Sequence, residues 1–282
     1  MELKVTDCAV DADGVATVRF NRPGRGNSWT ARMNEEYRWI MAKCDADPAV
    51  RVIVVRGAGN QFCVGADFKA LDFYAEEERD YLATVDKPEL ARPGYGVRPE
   101  YDHDLVWHWG LRKPVIAAIN GPCAGIAVAI AAYCDLRYAV AGAKLTTVAA
   151  RLGLPAEYGL AWVLPRLVGM THAADILLTG RIFTAEEAKD MGFLNAVFTP
   201  GEFDERIAGL ARNAARTVSP QAALATKRQL YAELMESDVG ACLEDSKRRI
   251  GEAMHKADFK EAVAAMGGKR TPAFAPLAEG DR

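Results

Sequence analysis

The amino-acid sequence alternates short apolar runs with longer segments whose apolar residues recur every three or four positions. The short runs are bounded by turn residues, which is typical of β-strands. The first two flank Asp13-Gly14, a strong turn dipeptide, and are predicted to form a hairpin. The strands predicted on these grounds are 5–10, 15–20, 50–56, 115–119, 136–140 and 193–198.

The longer segments predict helices. Ser28 or Thr30 can cap a helix that runs to about Cys44. Thr184-Ala-Glu-Glu187 is a capping box, which begins another helix. Further helices are predicted to begin near 65 and 161 and to span 125–133, 203–217, 220–237, 239–256 and 259–266. Because strands alternate with helices, the pattern predicts an α/β fold with parallel strand pairing.

Two stretches depart from this alternation. The segment 75–104 is charged and interrupted by proline and glycine, which predicts a long irregular excursion of the kind that is often functional. Residues 114–134 carry no charge over the length of a membrane-spanning helix. Asn120, Gly121 and Pro122 interrupt them, however, so we interpret this stretch as a buried strand, turn and helix.

Composition and charge describe a globular protein. Of the 282 residues, 50% are hydrophobic and 26% charged, and 35 basic against 38 acidic residues give a net charge of −3. This balance argues against nucleic acid or an anionic membrane as the main partner. The first residues lack a basic region followed by an apolar run, so no signal peptide is expected and a cytoplasmic location is predicted.

Cysteine and histidine spacing points to no metal or redox centre. The six cysteines contain no CxxC pair, and the four histidines show no metal-ligand spacing. We therefore interpret the cysteines as free thiols of a reducing compartment. Neither a metal nor a separate cofactor is expected.

Two glycine-containing turns, 62–67 and 120–126, each lead from a predicted strand into a predicted helix. The first N–H groups of a helix lack partners within it and carry the positive end of its dipole. Two such helix starts facing each other would bind an oxygen on which negative charge develops during a reaction. The simpler interpretation, glycines that satisfy turn geometry, stays open. Neither turn has the spacing of a dinucleotide-binding loop or a P-loop.

Several ordered motifs are spread over the chain: Asn21-Arg22-Pro23, Phe62-Cys-Val-Gly-Ala-Asp-Phe-Lys69, Lys113-Pro-Val-Ile-Ala-Ala-Ile-Asn-Gly-Pro122, Cys134-Asp135-Leu136, Leu164-Pro-Arg-Leu-Val-Gly169, Thr184-Ala-Glu-Glu-Ala188 and Asp258-Phe-Lys-Glu261. Together they resemble the crotonase, or enoyl-CoA hydratase/isomerase, superfamily over about residues 3–274. The resemblance implies a superhelix of repeated ββα units, with 1–200 as the spiral core holding CoA and 201–282 as a C-terminal helical region. It also implies a homotrimer or a dimer of trimers, in which the C-terminal helices pack between subunits.

The same resemblance implies an acyl-CoA thioester as substrate, so that CoA enters as part of the substrate. The thioester oxygen would accept hydrogen bonds from the backbone N–H groups of Ala66 and Ile126, and Gly125 would let the backbone approach it closely. The residues that match the CoA-holding segments are Arg25, Gly26, Asp67, Phe68 and Lys69. We interpret the Asp67 carboxylate as a helix cap rather than a base.

The sequence departs from the superfamily's hydratases at the two glutamates that activate water there. The matching positions are Ala129 and Ala149, which can neither accept nor donate a proton. Leu154-Pro-Ala-Glu157-Tyr-Gly159 resembles the segment of some Δ3,Δ2-enoyl-CoA isomerases that carries a single glutamate. One carboxylate suffices to move a proton between C2 and C4 of an enoyl thioester. A helix-start carboxylate stabilised by the dipole is the alternative interpretation of Glu157.

The sequence therefore predicts an isomerase-type acyl-CoA enzyme with Glu157 as its base. Two alternatives stay open: an enoyl-CoA hydratase with a non-standard acid or base, and a non-catalytic acyl-CoA-binding homologue. The aromatic stretch Trp107-His-Trp109 is predicted to flank the acyl pocket.

Overall fold

The computed structural model describes residues 1–67, 69, 72, 87–278, 280 and 281. Its strands are β1 (Thr6–Val10), β2 (Val15–Phe20), β3 (Val52–Gly57), β4 (Val115–Ile119), β5 (Cys123–Ala124), β6 (Leu136–Val140), β7 (Lys144–Thr146), β8 (Phe183–Thr184) and β9 (Ala196–Phe198). Six of them form one sheet in the order β1-β2-β3-β4-β6-β9, and β5-β7-β8 form a smaller one. The β1–β2 hairpin is antiparallel, and the other pairs of the large sheet are parallel, as predicted.

The helices of the described residues agree closely with the sequence pattern. They are α1 (Ala31–Ala46), α2 (Ile126–Tyr133), α3 (Leu160–Thr179), α4 (Ala185–Asp190), α5 (Phe203–Thr217), α6 (Pro220–Glu233), α7 (Val239–Met254) and α8 (Ala257–Gly267). Thr30 caps α1 by accepting a hydrogen bond from the Met33 N–H. Thr184 and Glu187 form the predicted capping box of α4.

The chain repeats one unit along its length: a strand of the large sheet, a short strand of the second layer, and a helix. β4-β5-α2 is one such unit, and β6-β7-α3 is the next. Since β4 pairs with β6 and β5 pairs with β7, consecutive units stack side by side and form a spiral. The predicted superhelix of ββα units is confirmed.

The central strands are buried on both faces, which explains their nearly continuous apolar sequences. On β3, Ile53 and Val55 point into the main core with α1 and α2, whereas Val52 and Val54 point to the other side. Helix α5 covers that second side with Phe203, Ile207 and Ala211.

The structure differs from the sequence prediction in several places. The predicted strand 193–198 is wrong in its first half, because Phe193 and Leu194 form the buried turn after α4 and the strand begins at Ala196. The strands of the small sheet were not predicted; with two or three residues each, they are too short to produce a pattern. Helix α3 is kinked at Gly169, where φ is +74° and ψ is +161°.

The uncharged stretch 114–134 forms β4, β5 and α2, all within the interior. Among the helices that the structure describes, none has the length and apolar character needed to cross a membrane.

Helix α6 is fixed to the core by a buried ion pair. Lys227 Nζ lies 2.8 Å from Asp135 Oδ2, and the Tyr231 hydroxyl donates to Asp135 Oδ1 at 2.7 Å. The Tyr231 ring also stacks on Trp109, with centroids 4.6 Å apart. In contrast, α7 has no buried residue.

Candidate active site

The two glycine turns lie side by side because the chain pairs between them. Cys63 and Cys123 form a parallel β-bridge, and the Ala124 N–H donates to the Cys63 carbonyl at 2.9 Å. Gly65 has φ +94°, and a Cβ there would lie 3.1 Å from the Ala124 carbonyl oxygen. Only glycine combines this conformation with so close an approach. The first glycine turn and the start of α2 therefore lie next to each other.

The backbone N–H groups of Ala66 and Ile126 are free at this junction. Trp29 N donates to the Gly65 carbonyl and Asp67 N donates to the Trp29 carbonyl, so the groups on either side of Ala66 face Trp29. The N–H of Ala66 consequently points the opposite way. Ile126 is the first residue of α2, so its N–H has no partner within the helix. Within the described part of the chain, neither N–H donates to another protein group.

The Glu157 carboxylate lies at the same point. A Cβ built on Gly125 would be 3.8 Å from Glu157 Oε2 and 3.8 Å from the Gly65 Cα. A carboxylate oxygen and the backbone of the first turn therefore both lie within van der Waals distance of the side-chain position at Gly125, which the glycine leaves empty.

Glu157 is half-buried, and burial raises the pKa of its carboxyl above the ordinary glutamate value. No hydrogen bond or charge from the described residues offsets this effect. A carboxylate that is partly desolvated and unpaired is a stronger base than one exposed to water. Chemically, the arrangement can hold a developing oxyanion and exchange a proton beside it.

Asp67, at the rim of the first turn, has the opposite environment. Arg22 Nη1 donates to Asp67 Oδ2 at 2.9 Å, Ser28 Oγ donates to the same oxygen at 3.0 Å, and the Lys69 N–H donates to Asp67 Oδ1 at 3.1 Å. Burial alone would raise the pKa of Asp67, but these hydrogen bonds outweigh it and hold the pKa below its ordinary value. The carboxylate is a fixed anion that secures the turn, in agreement with its interpretation as a cap.

Ala129 and Ala149, the positions that match the hydratase glutamates, are both buried. Ala129 lies in the middle of α2, and Ala149 begins a short 3-10 helix after β7. Neither side chain supplies a polar atom, and among the described residues Glu157 is the carboxylate that approaches Gly125.

Comparison with known proteins decides the family. A family model described as enoyl-CoA hydratase/isomerase matches residues 11–276. The chain belongs to the enoyl-CoA hydratase/isomerase family. It is 32% identical over 264 residues to a probable enoyl-CoA hydratase of Mycobacterium tuberculosis, covering 92% of this chain and 89% of the relative. It is 31% identical over 265 residues to the 1,2-epoxyphenylacetyl-CoA isomerase of Escherichia coli, covering 93% and 95%.

Solved structures agree with the family assignment. The crystal structure of an enoyl-CoA hydratase from Bacillus anthracis matches with a TM-score of 0.84 at 26% identity, covering 96% of this chain and 99% of that one. The family therefore includes relatives named as hydratases and relatives named as isomerases, and the names alone do not decide between the two reactions.

The residues predicted to hold CoA lie around the first turn of this family member. Gly26 has φ +60°, and a Cβ there would come within 2.8 Å of Val64 Cγ2, so glycine lets the two loops pack. Arg25 and Lys69 are exposed beside the turn. Phe68 lies outside the described residues. The Asp67 carboxylate is occupied by Arg22 and Ser28, and its backbone N–H donates to the Trp29 carbonyl.

The aromatic stretch belongs to the interior. His108 is fully buried, its Nδ1 lies 2.6 Å from the Leu105 carbonyl and its Nε2 lies 2.7 Å from the Tyr37 hydroxyl. Burial lowers the pKa of His108 to about 3, so the ring is neutral and both its nitrogens are engaged. Trp107 stacks on this ring and is fully buried. Trp109 contacts Tyr133 with ring centroids 5.3 Å apart, which brings this tryptophan toward the Glu157 turn.

Sequence reasoning missed two residues that hold the site together. Arg22 reaches Asp67 across 45 positions, and no spacing signals such a contact. The Tyr133 hydroxyl donates to the carbonyl of Tyr158, the residue after Glu157. One signal was present, since Tyr133 is the only large polar side chain in the small-residue helix α2.

A separate cavity of about 590 Å³ lies between the β1–β2 turn and the C-terminal tail. It shares no residue with the glycine turns or with Glu157. Its arginines are already occupied, since Arg216 pairs with Asp13 and Arg51 donates to the carbonyls of Phe274 and Ala275. We therefore place the candidate site at the glycine turns.

Proposed function

We propose that this protein is an enoyl-CoA isomerase that shifts the double bond of an acyl-CoA thioester, with Glu157 as its single acid–base group. The observation that carries the proposal is the placement of Glu157 Oε2 3.8 Å from the Cβ position of Gly125, which lies equally close to the Gly65 Cα of the first turn.

The reaction needs one oxyanion site and one proton carrier. The thioester oxygen accepts hydrogen bonds from the N–H groups of Ala66 and Ile126. Glu157 removes a proton from C2 of a 3-enoyl thioester. The electrons move into a dienolate whose charge rests on the thioester oxygen. Glu157 then returns the proton to C4, which gives the 2-enoyl thioester. One backbone donor typically contributes about 2.7–4 kcal/mol to such a transition state.

Burial of Glu157 suits this double role. Its raised pKa makes the carboxylate a stronger base and brings its pKa closer to neutrality, where a single group can both accept and return a proton. The exposed Arg25 and Lys69 are proposed to meet the CoA portion, together with Gly26, Asp67 and Phe68.

Hydration is the second candidate, favoured by the relatives named as enoyl-CoA hydratases. It requires one group to activate water and another to protonate C2, and the two positions that match the hydratase glutamates are Ala129 and Ala149. A lone carboxylate supports proton shuttling better than hydration.

Turnover of a 3-enoyl-CoA tests the proposal. The purified protein should convert it to the conjugated 2-enoyl-CoA, seen as a gain of thioester absorbance, and Glu157→Gln should lose at least about 10²-fold of that rate. Crotonyl-CoA is the control substrate, because a hydratase would instead consume its absorbance.

The outcomes separate the three candidates. Undiminished turnover by Glu157→Gln would remove Glu157 from the mechanism. Loss of crotonyl-CoA absorbance without isomerisation would favour hydration. Binding of CoA esters with no turnover of any thioester would favour a non-catalytic homologue.

We further propose that the protein forms a homotrimer or a dimer of trimers through α7 and α8. Val239, Leu243, Ile250 and Met254 form one stripe along α7, and each is at least half exposed in the single chain. Light scattering of the purified protein should give three or six times 30.6 kDa. Charged substitutions at Leu243 and Ile250 should lower the mass, and a wild-type monomer would contradict the proposal.

A further inference from the structure

We propose that Tyr133 is a positioning residue, whose hydroxyl fixes the backbone turn that aims the Glu157 carboxylate at Gly125. The inference rests on the proposed function of Glu157 and adds a residue to it.

The Glu157 carboxylate accepts no hydrogen bond from the described residues. Burial is therefore the sole cause of its raised pKa. The direction of the side chain therefore depends on the backbone that carries it.

That backbone has an unusual conformation. Tyr158 has φ +48° and Gly159 has φ +72°, so two consecutive residues are left-handed immediately before α3. A non-glycine residue adopts this region only where its surroundings compensate for the steric strain.

The Tyr133 hydroxyl provides such a constraint. It donates to the Tyr158 carbonyl at 2.8 Å, and Tyr133 is 2% exposed, so water does not compete for the bond. A Cβ on Gly159 would lie 2.5 Å from the same hydroxyl, which shows how closely the turn is seated on Tyr133.

Helix α2 connects this contact to the oxyanion site. Its first residue is Ile126, whose N–H is a proposed donor, and its last is Tyr133. All eight residues of the helix, its two ends included, are buried. One short, rigid helix thus sets the distance between the oxyanion and the group that exchanges the proton, which is the geometry on which such catalysis depends.

Tyr133→Phe tests the inference, because it removes the hydroxyl and keeps the ring. We expect kcat for 3-enoyl-CoA isomerisation to fall about 10- to 100-fold, with KM within about twofold of wild type. Tyr37→Phe is the matched control, since it removes another buried tyrosine hydroxyl bond, to His108, without touching the turn. A purely structural role would lower the melting temperature of both variants alike and leave both kcat values unchanged, and that result would overturn the inference.

A second readout keeps the inference separate from the proposed function. The carboxyl ¹³C resonance of Glu157, assigned by its loss in Glu157→Gln, reports its titration without turnover. We expect Tyr133→Phe to move this titration to lower pH, because a loosened turn exposes the carboxylate to water. If the wild type isomerises no substrate, the proposed function fails, and an unchanged Glu157 titration in Tyr133→Phe would overturn the positioning role independently.

Discussion

The turn at Asp67 and the turn at Glu157 each carry one carboxylate to the edge of the same site, yet the two carboxylates have opposite surroundings. Asp67 accepts hydrogen bonds from Arg22 and Ser28, which hold its pKa below the ordinary value. The Glu157 carboxylate is partly buried and has no hydrogen-bond partner among the described residues, and burial raises its pKa. The two carboxyl groups thereby have opposite pKa shifts, and the proposed function assigns the proton transfer to Glu157, the group with the raised pKa.

The difference follows from what each turn offers. At Asp67 the chain supplies donors from the loop after β2, so the carboxylate is engaged in holding the first glycine turn in place. At Glu157 the backbone is held instead, by Tyr133, and the carboxylate remains available. A structural carboxylate and a reactive one can thus be distinguished by whether the side chain or its backbone is anchored.

The largest expected effect comes from filling the space between the two turns. Gly125→Ala places a methyl group 3.8 Å from both Glu157 Oε2 and the Gly65 Cα, where the thioester would lie. We expect isomerase activity to fall about 10²–10³-fold, as when an oxyanion donor is lost. The measurement is kcat/KM for a 3-enoyl-CoA.

Gly142→Ala is the control for this change. Gly142 also has a positive φ, +76°, but a Cβ there would meet nothing within 4 Å. Its positive φ should cost Gly142→Ala about 1–2 kcal/mol of stability, with normal activity. Equal activity in the two variants would contradict the proposed position of the thioester.

The next effect is on pH dependence. The proton carrier must start ionised to remove the C2 proton, so kcat/KM should fall about tenfold per pH unit below the pKa of Glu157. Since that pKa is raised, the acidic limb should lie above the ordinary glutamate value. Asp67→Asn should leave the acidic limb of the profile in place. If this substitution moves the limb, Asp67 and not Glu157 is the group that transfers the proton.

The smallest effects are on the free energy of unfolding, which Asp67→Asn and Glu157→Gln should change in different directions. Asp67 has a lowered pKa, so its contribution is present above the ordinary aspartate pKa and is lost as the pH falls through its folded value. Asp67→Asn should therefore cost about 1–3 kcal/mol at pH 7. The raised pKa of Glu157 stabilises the fold only below the ordinary glutamate pKa, and this contribution is lost as the pH rises through the folded value.

Glu157→Gln should consequently leave the free energy of unfolding at pH 7 unchanged or slightly increased. Urea titrations of the two variants at pH 7 and pH 4 measure the change in the free energy of unfolding that each substitution causes. Similar losses for Asp67→Asn and Glu157→Gln at pH 7 would show that both carboxylates are structural.

The sequence predicted this site unevenly, for physical reasons. Strand and helix positions, the two glycine turns and Glu157 are local features, visible in spacing or in motifs that resemble the family. The partners that distinguish Asp67 from Glu157 come from distant positions: Arg22 lies 45 residues from Asp67, and Tyr133 lies 25 residues from Tyr158. Such contacts are products of the spiral's stacking, which places consecutive units side by side and leaves no trace in local pattern.

The β5–β7–β8 layer illustrates the same limit. Its two- and three-residue strands carry no periodicity, yet the pairing of Cys63 with Cys123 of β5 brings the first glycine turn next to the start of α2. Glu157, whose own side chain is proposed to react, was therefore predictable from the sequence. Arg22 and Tyr133, which act by hydrogen bonding to other residues, were not.

A crystal structure of Glu157→Gln with a bound 3-enoyl-CoA tests the central claim most directly, because the slowed variant keeps its substrate. We predict that the thioester oxygen lies about 2.7–3.1 Å from the backbone nitrogens of both Ala66 and Ile126. The residue-157 side chain should lie within about 3–4 Å of C2 or C4. A thioester oxygen that contacts neither nitrogen, or only one of them, would contradict the account.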